Sequence, residues 1–126
     1  MAFLPSKDRK YLLDRDMSFE EVTAGAVNGL VFPEYSLPPG LFDHQASSLL
    51  IILPGGYPDL PPDMFFLNPW VRLVTTKQYA RRADQAHQFN GISWQRWSRH
   101  NNEWRRGKDG IWTMLKRVEN ALREAK

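Results

Sequence analysis

The stretch Ser48-Leu49-Leu50-Ile51-Ile52-Leu53-Pro54-Gly55-Gly56-Tyr57-Pro58-Asp59-Leu60-Pro61-Pro62-Asp63-Met64-Phe65-Phe66-Leu67 decides the fold. An apolar run, Ser48 to Leu53, enters a corner of prolines, and a second apolar run, Met64 to Leu67, leaves it. Nearly continuous apolar runs of this length fit strands buried on both faces. Each proline fixes φ at about −65° and removes a backbone donor, so the corner joins neither a sheet ladder nor a helix. Leu60, ahead of Pro61, is pushed toward extended geometry. The reading is two strands joined by a stiff, pre-set bend.

Near the N-terminus, Ser6 can cap a short helix over about Lys7–Arg15, with Tyr11 and Leu12 on its buried side. Phe19–Thr23 alternates imperfectly and reads as a first strand. Asn28-Gly29 reads as a hairpin turn, since both residues tolerate positive φ, and a second strand, Leu30–Phe32, follows it. Ser36–Gly40 is a loop, and Pro69 ends the strand that begins at Met64. Val71–Val74 reads as a short extended piece, Thr75–Asn90 as loop with some helix, and Ile92–Trp97 as strand or loop. Asp109 can cap a final helix, in which Ile111, Leu115, Val118 and Leu122 form one apolar stripe. Strands grouped together, with helices at the two ends, give the α+β class with a four-stranded antiparallel meander.

At 126 residues the chain fits a single domain, residues 1–126. It has no cysteine, which removes disulfides, thiolate metal sites and a thiol nucleophile. No run approaches the roughly 18 apolar residues of a membrane span, and the N-terminus shows no secretion signal, so a cytoplasmic location is expected. Net charge is +3, unevenly spread: 7 Lys/Arg stand against 2 Asp/Glu between Arg81 and Lys108. Trp94, Trp97, Trp104 and Trp112 lie in or beside that stretch. Basic residues interleaved with aromatics can bind nucleic acid. The small excess charge and the lack of a nucleic-acid motif favour a tryptophan-rich core segment instead, so no nucleic-acid partner is expected.

A Tyr-Pro-x-x-Pro-Pro corner between two apolar strands, followed by an irregular segment and a helix, resembles the ubiquitin-conjugating (UBC) fold. In more detail the chain resembles the prokaryotic UBC-like family E. The motifs that carry this are Leu37-Pro38-Pro39-Gly40, the corner from Pro54 to Phe65, Trp94-Gln95-Arg96-Trp97-Ser98-Arg99-His100, and Trp104-Arg105-Arg106-Gly107-Lys108-Asp109. They cover nearly the whole chain. The resemblance implies an N-terminal helix, a four-stranded meander, an active-site loop segment and a C-terminal helix. It also implies transferase chemistry with a ubiquitin-like protein, its activating enzyme and a target protein as partners. The setting it implies is a bacterial gene cluster that also encodes a deconjugating peptidase, some such clusters serving antiphage defence.

The departure from the eukaryotic pattern concerns chemistry. There a His-Pro-Asn segment precedes a cysteine and then a tryptophan. Here His87-Gln88-Phe89-Asn90 precedes Ile92-Ser93-Trp94 and then Trp104, which puts Ser93 where the cysteine would be. Ser93 is either natural or an engineered replacement of cysteine; the family pattern does not require cysteine there, which favours a natural serine.

A serine hydroxyl needs an adjacent base to act as a nucleophile. Ser98 and His100, two apart, would share a face of an extended segment and form the most compact nucleophile–base pair. Ser93 with His87 is the alternative. The plain structural reading is a Ser98 that bonds backbone and a His100 that orients its loop. Arg96 and Arg99, with Trp97 between them, are candidates to steady an oxyanion or the tail of a ubiquitin-like partner. The acidic residues make no metal-ligand spacing with the histidines, and Gly55-Gly56 serves a turn rather than a phosphate loop, so neither metal nor cofactor is expected. Two functions stand: a cysteine-less conjugating enzyme working through a serine oxyester, and a catalytically silent adaptor that binds the ubiquitin-like protein or its activating enzyme.

Overall fold

The computed structural model describes residues 2–100 and 103–126. Helix α1 (Ser6–Asp14) opens the chain, six strands follow, and helix α2 (Ile111–Arg123) closes it. The strands are β1 (Glu20–Ala24), β2 (Val27–Ser36), β3 (Ala46–Leu53), β4 (Phe65–Asn68), β5 (Gln85–Phe89) and β6 (Ile92–Trp97). They form one antiparallel sheet in the order β1-β2-β3-β4-β6-β5. The expected four-stranded meander is therefore the first part of a larger sheet. The segment read as loop with some helix holds β5, and β5 and β6 add a hairpin beyond β4.

The first turn also differs from expectation. Asn28-Gly29 lies inside β2, and the chain reverses at Gly25, whose φ is +63°. Gly29 is needed for space rather than for its dihedrals. A Cβ there would stand 2.6 Å from Phe89 Cζ and 2.9 Å from Leu50 Cδ1. Phe89 belongs to the far edge strand, so this contact requires the sheet to curl until β5 comes back over β2. The concave face holds a small core of Leu50, Phe66, Phe89 and Trp94.

The other face carries the main core. Leu30, Phe32, Leu49, Ile51, Phe65, Leu67 and Trp97 pack there against Leu12 of α1 and against Ile111, Met114, Leu115, Val118 and Leu122 of α2. The α2 residues include the whole stripe expected from sequence. Its N-cap is Gly110 rather than Asp109; Asp109 instead accepts from the Thr113 hydroxyl at 3.0 Å. Asp8 of α1, 2 % exposed, accepts from the Tyr57 hydroxyl and from the Ile111 backbone N–H. One buried carboxylate thus ties α1, the proline corner and the start of α2 together. Among the described residues no helix is long and apolar enough to cross a membrane.

Candidate functional site

The proline corner and the end of β6 meet on one side of the molecule. Pro61 and Pro62 deliver Asp63 as the chain turns into β4, and β4 pairs with β6 at Phe65↔Trp97. His100 lies three residues past Trp97. Its Nδ1 stands 3.0 and 3.2 Å from the two carboxylate oxygens of Asp63. An ionised carboxylate only accepts, so Nδ1 carries the proton and Nε2 of the neutral ring keeps a free lone pair. This is the arrangement of an orienting carboxylate and a base, with both groups open to solvent. The His100 carbonyl accepts from the Arg117 guanidinium of α2. His100, Arg99, Arg117, Asn120 and Glu124 line a cavity of about 450 Å³ against Phe65 and Met114.

The segment between β6 and His100 is not extended. The Arg99 N–H donates to the Trp97 carbonyl at 2.9 Å, a three-residue turn centred on Ser98. The Ser98 N–H donates to the Arg82 carbonyl at 3.0 Å, and the Ser98 carbonyl accepts from Arg99 Nη1 at 3.2 Å. The shared-face argument for Ser98 and His100 therefore loses its basis, and no hydrogen bond joins their side chains among the described residues. The two remain neighbours across Arg99, with Ser98 half-buried.

Ser93 and His87 are not brought together. Register pairs Ser93 with Gln88 and His87 with Trp94, so the two side chains stand on opposite faces of the β5–β6 hairpin. His87 stacks on Phe66 at 4.7 Å between centroids. Ser93 is exposed, and its carbonyl accepts from the Trp70 indole at 3.0 Å.

The binding candidates also separate. Trp97 is fully buried, stacked on Phe65 at 5.5 Å and edge-on to Phe42 at 5.9 Å. It is a core residue that backs Arg99, whose guanidinium carbon lies 5.1 Å from the Trp97 ring centroid. Arg96 sits on the concave face in register with Phe66 and Gln85, its Nε buried without a partner among the described residues.

Sequence reasoning gave Asp63 and Arg117 no part in the site and read Trp104 only as a motif residue. Asp63 and His100 are 37 residues apart, and only strand pairing joins them. The Trp104 indole donates to the Pro58 carbonyl at 2.8 Å and Arg106 pairs with Asp59 at 3.1 Å, which straps the segment before α2 onto the corner. No group of three or more metal-ligating side chains occurs among the described residues.

An N-terminal helix, an antiparallel sheet, a proline corner and a C-terminal helix over the face that carries the main core are consistent with an E2-like fold. The family model described as prokaryotic E2 family E matches residues 4–125, and the chain belongs to that family. Neither a search of curated proteins nor a search of solved structures gave a match. Membership supports a conjugating-enzyme-like role.

Proposed function

We propose that the chain accepts a ubiquitin-like protein from an activating enzyme as an oxyester on Ser98 and passes it to an amine of a target protein. The Ser98 hydroxyl oxygen attacks the activated C-terminal carbonyl, its proton passes to His100 Nε2, and the activating enzyme's leaving group departs. The target amine then attacks the ester carbonyl, and the bond to the Ser98 oxygen breaks as the amide forms. The His100 imidazolium returns its proton to the departing Ser98 alkoxide, and the amine loses its surplus proton to solvent. Asp63 holds the imidazole and stabilises the imidazolium formed in the first step. The observation that carries this reading is the Asp63–His100 pair, two residues from Ser98, in a chain without a thiol. Loading closes the gap between Ser98 and His100, since such bonds often tighten only in the complex.

The test is to incubate the purified chain with the ubiquitin-like protein, activating enzyme and ATP. An adduct that survives thiol reductant, yields to mild base and vanishes in Ser98→Ala is expected. Asp63→Ala should slow its formation by about tenfold to a thousandfold. If Ser98→Ala and Ser93→Ala each leave the adduct intact, the serine route is wrong.

The missing hydroxyl–imidazole bond favours a second reading, an adaptor that holds the ubiquitin-like protein or its activating enzyme. Binding without any adduct, unchanged in the triple Ser93/Ser98/His100 alanine variant, would establish it.

A further inference from the structure

Arg81 and Arg82 form a turn closed by the Ala83 N–H on the Ala80 carbonyl at 3.1 Å. Arg82 has φ +55°, the left-handed region, where a residue with a side chain is strained. Two bonds fasten this turn. The Arg82 carbonyl accepts from the Ser98 N–H, and the Arg81 N–H donates to the main-chain oxygen of Lys126, both at 3.0 Å. The backbone of the arginine pair is thereby held against Ser98, the residue before Arg99, which is itself half-buried on the Trp97 ring.

Among the described residues no side-chain carboxylate pairs with the guanidinium of Arg81, Arg82 or Arg99. Burial, and then the nearby charges of Arg82 and Arg81, push the Arg99 guanidinium's pKa below its ordinary value. Three like charges brought together by a strained turn repel one another unless an anion joins them. Arg99 also borders the 450 Å³ cavity, where Glu124 is the one carboxylate among the described residues of the wall. Arg117, on the same wall, already donates to the His100 carbonyl.

We propose that the Arg81–Arg82 turn and Arg99, which borders this cavity, form an oxyanion site that takes a carboxylate or phosphate group. Guanidinium forks match either anion with paired, charge-assisted hydrogen bonds. The site rests on the arginines and the cavity, so it stands or falls apart from any adduct on Ser98.

The full chain at low salt is titrated with inorganic phosphate, with a short glycine peptide bearing a free C-terminal carboxylate, and with the same peptide amidated. Tryptophan fluorescence and calorimetry give the readout, since Arg99 lies on Trp97. Phosphate, the free-acid peptide or both should bind with Kd of about 1 mM or tighter, and the amide about tenfold more weakly than the acid. Whichever probe binds names the source of the anion.

Arg99→Gln and Arg82→Gly should each weaken binding by about fivefold or more, and Arg123→Gln should not. Arg82→Gly also removes the left-handed strain, so it should melt no lower than the parent by more than a few degrees. Binding of neither acid probe overturns the site. So does equal binding of the amide without any phosphate response, or an Arg123→Gln effect as large as that of Arg82→Gly.

Discussion

Asp109 shows how much one carboxylate can hold. It accepts from the Arg105 guanidinium at 2.9 Å and the Arg105 N–H at 2.7 Å, with the Thr113 hydroxyl as a third donor. Arg105 first, then these other donors, hold its pKa down at about 2. A depressed native pKa contributes stability that is present above the unfolded value and is lost as pH falls through the native one. Glu21 acts in the same direction. Burial raises its pKa, but Arg9 and the N–H groups of Leu4 and Phe3 lower it further. Asp8 has the opposite sign, because burial raises its pKa more than the Tyr57 hydroxyl and the Ile111 N–H lower it. Its protonated form is favoured in the fold, so it offsets part of the acid loss. The melting temperature is expected to fall between about pH 4 and pH 2, and less steeply in Asp109→Asn. Circular-dichroism melts across that range check this, and parallel curves for parent and variant would refute the assignment.

At the scale of elements, helix α2 and strand β3 were legible because their burial pattern is a simple period or a simple run. Strand β5 was not. Gln85, Ala86, His87 and Gln88 give no apolar alternation, and Phe89 is the strand's one buried side chain. Asn28-Gly29 misled for a related reason. Its glycine serves the Phe89 ring from a strand on the far edge, a demand that no local pattern carries. Gly29→Ala should cost about 1–3 kcal/mol through overpacking, and Gly29→Ala with Phe89→Leu should recover part of it. Urea unfolding of the two variants and of Phe89→Leu alone forms the cycle that tests this, and strictly additive costs would show that the rings and strands do not meet.

For the whole molecule, the candidate site is a product of tertiary structure. Sequence pointed to His100 and to the serines near it. It was silent on Asp63, because that pairing depends on β4 lying beside β6. The Asp8–Tyr57 contact works at the same scale, joining both helices to the corner that positions Asp63. Tyr57→Phe removes the hydroxyl donor to a buried carboxylate and should cost about 1–3 kcal/mol. The same variant should loosen the Asp63–His100 pair, seen as a change in the His100 ring resonances by NMR. An unchanged His100 signal with full loss of stability would mean that the corner and the site are not linked.

The open ends of the curled sheet carry a different consequence, one for behaviour in concentrated solution. Strands β1 and β5 each leave a row of unpaired backbone groups. The β1 edge carries Glu20 and the Arg9–Glu21 ion pair, whereas β5 reads Gln-Ala-His-Gln-Phe and has no permanent charge. Uncharged edges invite strand-to-strand association between copies, and lysine is a common natural guard. Ala86 is exposed on that edge, so Ala86→Lys should slow aggregation at high concentration and leave the melting temperature nearly unchanged. Light scattering during storage would show whether the chain's self-association runs along β5.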